Sequence, residues 1–102
     1  MKEPEFGRFS DPAILILSSL AGGEKHGYAM MEDIKTSTGV SLGPGTLYGA
    51  LTRLERSHFI EAVPSDDRRR PYRITPRGSA YLRQYLSDLA SLVSLGLKRL
   101  TI

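Results

Sequence analysis

GPGTLYGALTRLERSHF, residues 43–59, reads as one helix with a different role for each face. Gly43 suits the cap, and Pro44 suits the first helical position, where its missing N–H costs nothing. Leu47, Leu51 and Leu54 recur at spacings of four and three, which gathers them on one side of a 3.6-residue period. The other side carries Thr46, Tyr48, Gly49, Thr52 and Arg53, with no acid among them. A merely solvated helix more often mixes Lys and Glu there. Hydroxyls, an aromatic ring and an arginine near a helix N-terminus are what a major-groove reader applies to phosphates and base edges. On this segment alone an ordinary amphipathic helix reads equally well, and the flanking chain decides.

Downstream, Ile60-Glu61-Ala62-Val63 and Tyr72-Arg73-Ile74-Thr75 alternate as short strands do. The polar segment between them, residues 64–71, is too long for a tight hairpin turn and holds Arg68, Arg69 and Arg70. A solvated tip paired with Asp66 and Asp67 is the bland reading. Arginine at a protruding tip is better suited to phosphates and a narrow minor groove. Two strands and a basic loop directly after a helix-turn-helix describe a wing. Upstream, Glu24–Gly39 gives the preceding helix, starting near His26-Gly27, with Tyr28, Met31 and Ile34 on one face and Met30 beside it. Asp11-Pro12 caps an earlier segment, AILILSSLA, whose Ile14–Leu17 run also fits a strand; capping and length favour a helix buried on most sides.

Thr75-Pro76 caps a last helix over about 77–99. Its line Leu82, Leu86, Leu89, Val93, Gly96, Leu100 advances by four and three, as a helix–helix seam does. Tyr81, Tyr85, Leu92 and Leu95 form a second stripe, and one small domain cannot easily cover both. The expected dimer surface is therefore Leu15 with Leu82, Leu86, Leu89, Val93, Leu97 and Leu100. The fold class is mainly α with a small β-hairpin. Residues 1–75 form a winged helix-turn-helix domain, with 1–9 as a loose arm, and 76–102 form a dimerisation helix packed on it.

Composition sets the outer limits. A chain of 102 residues holds one small core, and 40% hydrophobic with 25% charged residues is ordinary for a folded domain. There is no cysteine, hence no disulfide or thiolate metal site. No stretch approaches a membrane span and the first residues lack an apolar signal core, so cytoplasm is the expected location. The net charge of +3 is modest, but six arginines against two aspartates lie between Asp66 and Arg83, leaving the rest slightly acidic. Such concentration is the footprint of a polyanion-binding surface.

In order, these segments resemble the PadR family of bacterial transcription regulators. The matching residues are His26-Gly27-Tyr28, Gly43-Pro44-Gly45-Thr46-Leu47-Tyr48, Leu51 with Leu54, Phe59-Ile60, and Tyr72-Arg73-Ile74-Thr75 with Gly78. Two departures stand out: His58 where members usually have glycine, and Gly49 where proline is common. The resemblance implies a homodimer joined mainly by the last helix with help from the first. It also implies an inverted-repeat operator, usually repressed, and in many members release by a phenolic or aromatic drug-like effector near the dimer interface. The DNA-facing residues are then Thr46, Tyr48, Gly49, Thr52, Arg53, Arg68, Arg69, Arg70 and Arg73.

No catalytic constellation is visible: no paired carboxylates with a base, no nucleophile elbow, no phosphate-binding glycine loop. His26 and His58 lack metal-ligand spacing, and neither a metal nor a cofactor is expected. The expected partners are double-stranded DNA, a second copy and a small aromatic effector, without a membrane. The alternative function is a winged helix used only for protein–protein contact, since fold does not fix function.

Overall fold

The computed structural model describes residues 11–66 and 68–101, so the expected arm at 1–9 lies outside the described residues. The elements are α1 (Pro12–Ala21), β1 (Lys25–His26), α2 (Gly27–Thr38), α3 (Pro44–Arg56), β2 (Ile60–Ala62), β3 (Pro71–Ile74) and α4 (Pro76–Leu100). The helix starts follow local chemistry. Asp11 accepts from the Ala13 N–H and Thr75 Oγ1 accepts from the Gly78 N–H, both at 3.0 Å, and a proline follows each cap.

α1 is the centre of the domain. Ile14, Leu15, Ile16, Leu17 and Leu20 are all buried in a helix, which disposes of the strand reading and requires cover on most sides. Met30 and Ile34 of α2, Leu47, Ala50, Leu51 and Leu54 of α3, Ile60, Tyr72 and Leu82 supply it. The face expected of α2 is corrected: Met30 and Ile34 face the core, Met31 is half-buried, and Tyr28 is exposed. Four-residue spacing, not three, sets that contact with α1.

The sheet is three-stranded and antiparallel, in the order β1-β3-β2, where the sequence indicated a two-stranded wing. β1 is two residues long and takes its strand character only from pairing Lys25 with Tyr72 and His26 with Pro71. No local alternation marks so short a segment. β2 pairs Ile60 with Ile74, Glu61 with Arg73 and Ala62 with Tyr72, so Tyr72 sits in the middle strand and is buried.

The junction between α3, the wing and α4 is the tightest part of the molecule. α3 ends in a left-handed turn at His58, φ 62°, where the His58 N–H donates to the Glu55 carbonyl (2.9 Å) and the Phe59 N–H to the Leu54 carbonyl (3.0 Å). This is a Schellman closure with histidine in the glycine position, at a steric cost of about 1–2 kcal/mol. Thr75 fastens the first turn of α4 to the same place: its hydroxyl donates to the His58 carbonyl (2.7 Å) and its N–H to the Phe59 carbonyl (3.0 Å). Gly78 then lies so close that an added Cβ would stand 2.1 Å from the Phe59 carbonyl oxygen.

Two substitutions test this junction in opposite directions. His58→Gly should stabilise the fold by about 0.5–1 kcal/mol, the left-handed cost less the added chain entropy of glycine, and raise the melting temperature. Gly78→Ala should lose more than the ~1–3 kcal/mol typical of overpacking, because the obstacle to its methyl group is backbone. Thermal and urea denaturation of both variants measures the pair.

Candidate nucleic-acid interface

α3 separates its faces as the leucine spacing requires. Leu47, Ala50, Leu51 and Leu54 are buried, while Thr46, Tyr48, Gly49, Thr52 and Arg53 are exposed. Ala50 belongs to the core face and is too small for the leucine pattern to reveal. The helix opens with Gly43 and Gly45, where a Cβ would meet nothing within 4 Å, so the backbone there is open to another molecule. Gly49 is similarly open, with only the Arg53 guanidinium near, at 3.8 Å. The Thr52 hydroxyl donates to the Tyr48 carbonyl at 3.0 Å, which fixes its rotamer and leaves its oxygen able to accept.

The wing loop is closed at its base by the Val63 N–H donating to the Pro71 carbonyl at 2.9 Å. Arg68, Arg69 and Arg70 are all exposed beyond that closure. They do not share one environment. Arg70 lies 3.9 Å from Glu55 on α3 and its guanidinium stands 5.8 Å from the centroid of the Tyr72 ring. Arg70 therefore leans back toward the end of α3.

Arg73, expected among the DNA contacts, is exposed and meets two acids. Its Nε donates to Glu61 Oε1 at 2.6 Å and its Nη1 is 3.9 Å from Glu24. The hydrogen bond and charge of Glu61 push the guanidinium pKa further up. The cause is register: β2 and β3 place Glu61 directly opposite Arg73, a cross-strand pairing that sequence order alone does not display. Arg77 is likewise engaged, donating to the Ser57 carbonyl (3.1 Å) and standing 5.4 Å over the Phe59 ring.

The residues expected at a dimer surface also divide. Leu82 and Leu15 are buried within the chain, so Leu82 is first of all a core residue. Leu86, Leu89, Val93, Leu97 and Leu100 are exposed, rising to 82% exposure at Leu100. Among the described residues no three potential metal ligands cluster, and no helix is long and apolar enough to cross a membrane.

A helix-turn-helix whose second helix shows an open polar face, followed by a basic wing, defines a winged-helix DNA-binding regulator. The chain belongs to the PadR-like family of transcriptional regulators, whose family model matches residues 16–84. These are regulators and not enzymes. A transcriptional regulator from Clostridium thermocellum is 31% identical with a TM-score of 0.76, over 85% of this chain and 87% of that one. A PadR family regulator from Eggerthella lenta is 26% identical with a TM-score of 0.74, over 86% of this chain and 79% of that one. A 37.1 kDa protein of transposon TN4556 in Streptomyces fradiae is 40% identical over 85 residues. The match takes in 83% of this chain but only 25% of the Streptomyces fradiae protein.

Tyr72, buried in the middle strand, gives the fold a measurable signature. Burial pushes its phenol pKa above the ordinary 10.0, and the nearby Glu55 carboxylate adds to the rise. The folded state thus resists ionisation that the unfolded chain accepts, so stability should begin to fall as the pH passes 10.0, the unfolded value. Tyr72→Phe should flatten that alkaline decline relative to the parent when melting temperature is followed between neutral and strongly alkaline pH.

Proposed function

We propose that this chain is a homodimeric repressor that binds an inverted-repeat operator, reading bases with α3 and phosphates or minor-groove width with the wing. The observation that carries the reading is the pairing of two unlike surfaces on one small domain. One is the open face of Thr46, Tyr48, Thr52 and Arg53 with the arginine wing beside it. The other is the row of exposed leucines along α4.

The α4 row continues into an apolar groove of about 630 Å³ between α1, α2 and α4, walled by Ile14, Leu15, Ile34, Leu86, Leu89 and Val93. Exposed apolar surface that is continuous with such a groove favours burial against a second copy. Two α3 helices held at a fixed separation then meet two half-sites of a palindrome. The groove is also of a size for a drug-sized ligand, and Tyr85 gives it an aromatic wall. A small aromatic effector lodged there would act directly on the α4 seam, which supports relief of repression by such a ligand.

Arg68, Arg69 and Arg70 serve electrostatic positioning, and Arg73 serves mainly to hold the sheet. A winged helix devoted only to protein contact would have no use for the arginine tip.

Selection of bound sequences from a random duplex pool tests the reading as a whole: an inverted repeat should emerge. Leu89→Asp or Val93→Asp would bury a charge in the seam at a cost of several kcal/mol, so sedimentation should show monomer and operator affinity should drop. Tight dimers in both variants would place the interface elsewhere. In the wing, Arg68→Ala removes two charges per dimer, so the slope of log affinity against log salt should become shallower by about 1.8, from ~0.9 per phosphate contact. An unchanged slope would put that arginine in solvent.

A further inference from the structure

His26-Gly27-Tyr28 carries much of the family resemblance, yet none of these residues lies in α3 or the wing. His26 pairs with Pro71 of β3 through its backbone, and its side chain acts locally, Nδ1 accepting from the Ala29 N–H at 3.3 Å and so capping α2. Gly27, the first residue of α2, is buried and faces α3. A Cβ built there would stand 2.8 Å from the Tyr48 hydroxyl oxygen, 3.1 Å from Tyr48 Cζ and 3.1 Å from Leu47 Cδ2. The phenol end of Tyr48 therefore rests against the bare Cα of Gly27, while 52% of Tyr48 remains exposed.

Nothing in the backbone demands glycine at this position. Gly27 is not among the glycines with positive φ, and alanine is the better helix former. The obstacles to a methyl group are two side chains, one of them the mobile tip of a tyrosine, and no backbone atom is among them. A substitution can thus be absorbed by moving the phenol, at little cost to the fold. What glycine provides is the resting place of Tyr48.

We propose that Gly27 is a positioning residue for DNA reading: by leaving room for the Tyr48 phenol it sets the orientation of that ring on the face of α3 and so the preference for operator over random DNA. The proposal rests on the function proposed above, in which Tyr48 is one of the reading residues. It couples the start of α2 to the start of α3 through a contact that neither helix shows alone.

The test is a double-mutant cycle with a structural readout. Wild type, Gly27→Ala, Tyr48→Ala and the double variant are each titrated with the selected operator and with a random duplex. Ring resonances of Tyr48, identified by their loss in Tyr48→Phe, are compared in wild type and Gly27→Ala. The expected result is a shifted Tyr48 ring, near-native melting, and a loss of operator preference on the order of tenfold, similar to that of Tyr48→Ala. The double variant should lose nothing further, because the residue that Gly27 positions is gone. An unmoved ring, losses that add, or equal losses on operator and random DNA would overturn the proposal. A preference that survives Gly27→Ala overturns this inference alone, whereas wild type without any sequence preference overturns the proposed function along with it.

Discussion

The carbonyl of Phe59 is the point on which the rest of the structure depends. It receives the Thr75 N–H at 3.0 Å, and it stands so near Gly78 that no side chain fits between them. Three elements meet at that peptide: the left-handed exit from α3, the first strand of the wing, and the first turn of α4. The stacking of Phe59 on Tyr81, centroids 4.5 Å apart, continues the same contact one turn along α4. Because the obstacle at Gly78 is backbone, the three elements are fixed in mutual orientation by sterics, with hydrogen bonds saturating the polar groups that the close approach would otherwise leave stranded.

Much of this fold is legible in sequence, and the reasons are local ones. Asp11-Pro12, Pro44 after Gly43, and Thr75-Pro76 mark helix starts because cap chemistry involves only neighbours. Leu47, Leu51 and Leu54 mark a buried face because their spacing matches the helical period. The misses have a common cause in long-range pairing. β1 exists because Lys25 finds Tyr72, and the Arg73 ion pair forms because the register sets Glu61 across from it. Tyr28 is misjudged because an aromatic at helical spacing looks like core until the direction of α1 is known.

The candidate site is legible to a similar degree. The open face of α3 follows from the same leucines that define its buried face, since a helix with one side committed must present the other. The wing arginines can be counted in sequence, but their inequality cannot. Arg70 leans toward Glu55 and Tyr72, and Arg73 and Arg77 are engaged by acids, carbonyls or rings. A basic stretch is therefore not a uniform field. Part of its charge is spent inside the protein on shaping the surface that the remainder presents.

α4 has a mechanical meaning beyond its stickiness. Gly78 and Leu82 in its opening turns are buried, Tyr85 packs partly on the core, and the helix runs on to Leu100. At 1.5 Å per residue its length is roughly 37 Å, so a tilt of about 10° at the base displaces the tip by about 6 Å. The fulcrum of that lever is the Phe59 peptide, which also begins the wing. A tilt about that pivot would move the root of the wing hairpin far less than it moves the tip of α4. Mechanical advantage of this kind needs no flexible linker, only a stiff rod and a pivot that the absence of one methyl group keeps tight.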